Sequence, residues 1–181
     1  LGYRPVNPAR VYDSREDGWK MYAEETRSVR VGGFGGVPAD GSAAAVLVNL
    51  TVTETEGPGF LTAWSRALDD KPWTSNVNVT RAGATASNMA IASLDRNGWM
   101  NVYSLPATHV VVDVFGWFPV GSDLHLVDPT RLIDTREGQF PGVGAEFTVP
   151  VAGAHGVPRQ GVAAAVLNVT ATGSAAAGFV T

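Results

Sequence analysis

Apolar and polar side chains alternate most clearly from Ala45 to Thr53, AVLVNLTVT. Val46, Val48, Leu50 and Val52 take every second place, with Leu47, Asn49, Thr51 and Thr53 between them. A strand sends successive side chains to opposite faces, so this period predicts a strand with one face in a core. Gly57-Pro58-Gly59 then supplies turn chemistry, and Phe60–Trp64 reads as the returning strand of a hairpin. Similar patterns predict strands over Arg10–Arg15, Thr26–Val31, Ser75–Thr80, Asn88–Leu94, Trp99–Ser104 and His109–Phe118. Asp95-Arg96-Asn97-Gly98 reads as a hairpin turn leading into Trp99–Ser104. No segment keeps a helical period. About nine strands in roughly 110 residues, parted by Gly, Pro, Asn and Asp, predict an all-β antiparallel sandwich or jelly roll; a closed β-barrel is the alternative.

The pattern repeats. Ala45–Trp64 returns as Ala164–Thr181, with Asn168 in the place of Asn49, Thr170 of Thr51 and Gly178 of Gly59. Arg10-Val11-Tyr12-Asp13-Ser14-Arg15 returns as Arg131-Leu132-Ile133-Asp134-Thr135-Arg136, and Gly36-Val37-Pro38 as Gly156-Val157-Pro158. Thr26–Val31 is matched by Glu146–Val151. A period of about 120 residues marks a tandem domain, not a solenoid repeat. The expected organisation is therefore a full module over residues 1–120 and the first half of a second over 121–181. The apolar face of that half, Ala165, Leu167, Val169 and Ala171, predicts that it packs on the first module or on another chain.

The succession RVYDSR, GGVP, VLVNLTVT, GFLTAW, SNVNVT, SNMAI, NVY and HVVVDVFGWF resembles a repeat module of secreted actinobacterial proteins. The pattern of that family is close to RLLDTR, GVP, VLNVT, GYLT, SNLN, Y and DVxGYF. The resemblance covers residues 3–118 and the start of the second copy. It implies an exported, often tandem module, commonly found beside hydrolases or cell-wall enzymes. It transfers no catalytic residue.

Composition narrows the chemistry. A net charge of −4 makes no electrostatic case for nucleic acid or anionic lipid. No run approaches the roughly 18 apolar residues of a spanning helix, so no membrane insertion is expected. The absence of cysteine excludes disulfides, thiolate metal sites and a cysteine nucleophile. No charged-then-apolar leader stands at Leu1-Gly2-Tyr3-Arg4-Pro5, which reads as a mature or trimmed end.

Most polar motifs read as structural. Asp113 shares a strand face with Val111 and Phe115, so it should have a partner; Arg10 and Arg15 are the candidates for a structural ion pair. No second carboxylate is placed for acid–base work. Asp13-Ser14-Arg15 and Asp134-Thr135-Arg136 suit bonds to backbone amides. The sequons at Asn49, Asn78 and Asn168 lie inside predicted strands, where polar side chains bond within or between strands. His109, His125 and His155 lack metal-ligand spacing, and Gly32–Gly36 lacks the Lys-Ser/Thr and helix of a phosphate cradle. Asp69-Asp70 and Asp95-Arg96-Asn97 lack the acidic spacing of a calcium loop. No cofactor or metal is implied.

The tryptophans carry the functional expectation. Trp64 and Trp117 lie within strands and read as packing. Trp19, Trp73 and Trp99 lie in or beside turns and read as ligand-binding candidates, since a flat exposed indole can stack on a sugar or anchor a partner. The sequence thus points to a non-catalytic, secreted or cell-surface module. It would bind polysaccharide or cell-wall polymer and hold a neighbouring enzyme there. The alternative is a structural spacer or assembly unit of a surface array or fibre. Binding predicts that the three indoles converge on one exposed face; the structural role predicts that they lie at module or chain contacts.

Overall fold

Eight strands are present in the computed structural model, which describes residues 2–138, 142, 144–146 and 148–173. They are β1 (Arg4–Asp13), β2 (Glu25–Arg30), β3 (Ala43–Thr53), β4 (Gly59–Ser65), β5 (Val77–Val79), β6 (Ala86–Ser93), β7 (Trp99–Ser104) and β8 (His109–Pro119). All pair antiparallel, in two four-stranded sheets. The first sheet runs β1-β8-β3-β6 and the second β2-β7-β4-β5. Neither closes into a barrel, so the fold is a β-sandwich. Every connection except β4–β5 crosses from one sheet to the other, which with these strand orders is the topology of a jelly roll.

The alternation read from β3 is what places it. Val46, Val48, Leu50 and Val52 are buried, whereas Leu47, Asn49, Thr51 and Thr53 are half-buried on the outer face. Across the gap stand Leu61 and Ala63 of β4, Met100 and Val102 of β7, and Val77 and Val79 of β5. Val110, Val112 and Val114 of β8 complete the first sheet's inner face.

Two expected hairpins are corrected. β3 and β4 do not pair, and neither do β6 and β7; each couple is split between the sheets. β3 instead pairs along most of its length with β8 and β6. Its link to β4 spans Glu54–Pro58, with Glu54 at φ 52°, and donates the Glu56 amide to Ala107 O at 2.8 Å. This link carries the apolar face of β4 over β3, where both faces bury each other. The Asp95–Gly98 turn does form: the Gly98 amide donates to Asp95 O at 3.0 Å, and Asp95 Oδ1 accepts from the amides of Asn97 and Trp99. Gly98 O then accepts from Val31 and Gly32, both at 2.9 Å. A Cβ at Gly98, whose φ is 77°, would stand 2.5 Å from Gly32 Cα. Glycine is needed there for both its φ and its lack of bulk.

Residues beyond β8 fold differently from their counterparts. The described part of 123–173 holds no strand, and its one regular element is a 3-10 turn at Thr135–Glu137. The strands expected at Glu146–Val151 and Ala164–Thr181 are absent over their described residues; Phe147 and residues 174–181 lie outside them. The physical reason lies in the ladder. β3 needs β8 and β6 on its flanks, and the 181 residues contain no second counterpart of either. Instead the segment touches the β5–β6 edge through polar groups. Asn168 Nδ2 donates to Ser75 O, Asn88 Nδ2 donates to Asn168 Oδ1 at 3.2 Å, and Asn78 Nδ2 donates to Thr170 Oγ1 at 3.4 Å. The apolar side chains are not taken up: Leu167 is 49% and Val169 70% exposed.

Candidate functional site

The outer face of the second sheet gathers the aromatic residues. Along β7, Met100 and Val102 point into the core, which leaves Trp99, Asn101 and Tyr103 outside. Thr62 and Trp64 of β4 lie opposite Tyr103 and Asn101, so they share that outer face, as does Phe60. Thr26, Ser28 and Arg30 of β2 extend it on the other flank, opposite Tyr103, Asn101 and Trp99. Ser28 Oγ donates to Asn101 Oδ1 at 2.8 Å.

The 66–76 connection, the one that stays within its sheet, folds back over this face. The Asn76 amide donates to Leu61 O at 2.8 Å, the Ala63 amide to Asn76 Oδ1 at 2.7 Å, and Thr62 Oγ1 to Thr74 O at 2.5 Å. Trp64 is therefore buried, 3% exposed, but under this loop and not between the sheets. Its Nε1 has no hydrogen-bond partner among the described residues.

Lys71 ties the loop to the sheet. Its Nζ lies 4.5 Å from the ring centre of Trp73, 4.6 Å from Tyr103 and 5.6 Å from Phe60. Phe60 and Tyr103 are themselves 5.9 Å apart, tilted by 40°. An ammonium held against three rings fixes their relative positions. Trp73 nonetheless remains 84% exposed, and Trp99, half-buried, carries Arg66 over its ring at 5.0 Å. Burial raises the Tyr103 hydroxyl above its ordinary pKa, and the nearby Glu24 charge adds to this, so it stays a neutral donor near pH 7.

Trp73 and Trp99 thus lie on one face. Trp19 does not join them. It is 69% exposed in the β1–β2 connection, at the end of the sandwich away from Trp99, and no ring or cation contact links it to either indole among the described residues. Convergence of all three is corrected to two. Lys71, Tyr103, Phe60 and Arg66 were not singled out from the sequence. Alternation along β7 could have placed Tyr103 beside Trp99, but the return of the 66–76 loop could not be read.

The ion pairs are also placed. Asp113, on the outer face of the first sheet, accepts from Arg10 Nε at 2.9 Å and Nη2 at 3.3 Å. Arg15 does not reach Asp113. It clamps Asp13 through its amide at 3.0 Å, Nε at 2.8 Å and Nη2 at 2.6 Å, and Arg10 Nη1 adds a bond at 3.1 Å. The Arg15 hydrogen bonds lower Asp13 to about 2 against the opposing effect of burial. The second copy repeats the clamp: Asp134 accepts from the Arg136 amide at 3.1 Å, Arg136 Nε at 2.9 Å and Arg131 Nη1 at 2.6 Å. It does so without any sheet around it, so the R-x-x-D-[S/T]-R motif encodes its own local turn.

Other polar residues form no reactive grouping. Ser14 is buried; its Oγ lies 3.0 Å from His109 Nδ1 and accepts from the Val110 amide. Among the described residues no three His, Asp or Glu side chains gather as metal ligands. Two concave regions along the β5–β6 edge are lined by Asn, Thr, Ser, Ala, Val and Gly with Arg81, and by no carboxylate or histidine. No described helix is long and apolar enough to cross a membrane.

Fold and surface together define the class: an eight-stranded jelly-roll sandwich with an aromatic outer face on one sheet. Comparison with protein-family models, curated proteins and solved structures finds no match.

Proposed function

We propose that the chain is a non-catalytic, extracellular binding module that attaches to polysaccharide or cell-wall polymer and holds a neighbouring enzyme there. The observation that carries this reading is Trp73, a large indole left 84% exposed while Lys71 holds it beside Tyr103 and Phe60. A ring that a cation holds against a rigid sheet can stack on a pyranose with little ordering cost. Trp99 offers a second ring on the same face. The tandem pattern and the resemblance to secreted modules support an extracellular setting.

The test is a pull-down on insoluble polysaccharides and isolated cell walls. Trp73→Ala should weaken retention by about 1–3 kcal/mol, roughly tenfold or more, while leaving the melting temperature nearly unchanged. Retention of the variant at the wild-type level would remove the support for this face.

The spacer reading has one observation in its favour. Arg131 Nη2 donates to the backbone O of Trp73 at 3.4 Å, so the second copy touches this loop. If the loop is a module contact, Trp73 fluorescence should shift to the blue when further modules are added. A binding module leaves it solvent-exposed until glycan is present.

A further inference from the structure

The aromatic face also carries cations that make no ion pair among the described residues. Lys71 lies against Trp73, Tyr103 and Phe60, and Arg66 against Trp99. Arg30 stands directly across the ladder from Trp99 and is exposed. Directly opposed residues on one sheet face sit about 5 Å apart at Cβ, so Arg30 stands beside Trp99 on this face while Arg66 packs on its ring. The described ion pairs are made by Arg10, Arg15, Lys20, Arg27, Arg131 and Arg136. None is made by Arg30, Arg66 or Lys71. Asp69 and Asp70 border Lys71 in the same loop, yet both are exposed and neither closes on a cation.

This pattern runs against the molecule's net charge of −4. Arg4, Arg81, Arg96 and Arg159 also make none of the described ion pairs; what sets this face apart is that its cations stand among rings. Three cations share the outer face of the second sheet, two of them packed on its rings. A neutral sugar could accept hydrogen bonds from them but would leave their charge unanswered. A sugar bearing a carboxylate would meet both halves of the surface: its apolar ring face against an indole, and its charge against a guanidinium fork or the ammonium. Two of the cations are already held on rings, so less freedom is lost when they bind.

Resting on the binding-module reading, we infer that the ligand is an acidic polysaccharide of the uronate type, bound across the Trp73–Trp99 face with Lys71, Arg66 and Arg30 as its charge contacts. Binding should then follow polymer charge as well as ring shape, and salt should weaken it.

Polygalacturonate and its fully methyl-esterified form share a backbone and differ in charge, which makes them the probes. With the full chain in about 0.01 M salt, the acid should bind roughly tenfold or more tighter than the ester. The advantage should shrink at about 0.15 M, where the screening length falls to about 8 Å. Arg30→Gln should lower affinity for the acid several-fold and leave the ester unchanged; Lys71→Gln should weaken both, the acid more, because Lys71 also holds the rings, while Lys71→Arg keeps the preference. Arg30 holds no ring in place, so its variant reports on charge alone. Equal binding of acid and ester overturns the acidic ligand and leaves a binding module. Binding only to neutral glucans or cell walls does the same. Failure to bind any polysaccharide or cell wall overturns both readings.

Discussion

At the scale of the residue, the ion pairs and the buried indole show how placement sets energy. Asp113 and Arg10 form a bidentate pair, but their side chains are 23% and 47% exposed, so solvent screens the pair. Asp113→Ala should therefore cost about 0.5–1.5 kcal/mol, well below the 3–5 kcal/mol of a buried pair. Asp13 is the stronger case, with its carboxylate 2% exposed and bonded four times. Its pKa falls from near 4 when unfolded to about 2 when folded. A depressed carboxylate stabilises the fold above the unfolded pKa, and that contribution disappears as pH falls through the folded value. It amounts to at most about 2.5 kcal/mol, reduced by the exposure of both arginines. Melting curves from pH 6 to about 2 should show wild type and Asp13→Asn converging between about pH 4 and 2. A gap that stays constant over that range would refute the clamp. Trp64 gives a complementary test. Its indole is buried but its N–H is unpaired. Trp64→Phe removes the orphan donor and should change stability by less than about 1 kcal/mol. Trp64→Ala should cost about 3–5 kcal/mol by opening a cavity under the loop.

The informative element is β3. Its inner face packs in the core and its outer face carries polar residues. Leu50 is fully buried, so Leu50→Ala should cost about 2–5 kcal/mol in denaturant unfolding. Its neighbour Thr51, one residue along and on the other face, should cost less than about 1 kcal/mol as Thr51→Ala. A reversed order, with Thr51→Ala the costlier, would mean that the strand is slipped by one residue. The second copy of this strand shows the limit of such patterning. Ala165–Thr170 has nearly the same alternation as Val46–Thr51, yet it lies against the β5–β6 edge without strand structure. A strand pattern states which face is to be buried; pairing needs neighbours that supply the ladder.

For the whole molecule, the two parts of the chain differ in how they are held. Residues 4–119 carry all eight strands and both sheets. The described part of 123–173 meets them through side-chain amides, a hydroxyl and one arginine. Cutting the chain after Ser122 should therefore leave the melting temperature of the sandwich within a few degrees of the intact value. A large drop, or loss of folding, would show that the second copy is part of the first module's stability. The same truncation should not reduce binding through Trp73, which projects from the first module.

Most strand positions were legible in the sequence because burial on one side imposes a period of two, and this reads without knowing which strand pairs with which. Trp99–Ser104 is predicted and found with the same limits, and β3 and β8 differ from expectation by two residues or fewer at each end. The R-x-x-D-[S/T]-R clamp was equally legible, since its bonds lie within six residues and recur even outside a sheet. The place of Trp73 beside Pro72 made it a candidate, but its exposure was not legible, since Trp99, also beside a turn, is half-buried. What only the tertiary structure decided is everything that depends on distant partners. The split of β3 from β4 and of β6 from β7 depends on which ladders win over the whole chain. The burial of Trp64, the gathering of Lys71 with three rings, and the separation of Trp19 from Trp99 depend on where the 66–76 loop returns and which end each connection occupies. Local periodicity records the environment of each residue, but not the identity of the neighbour that supplies it.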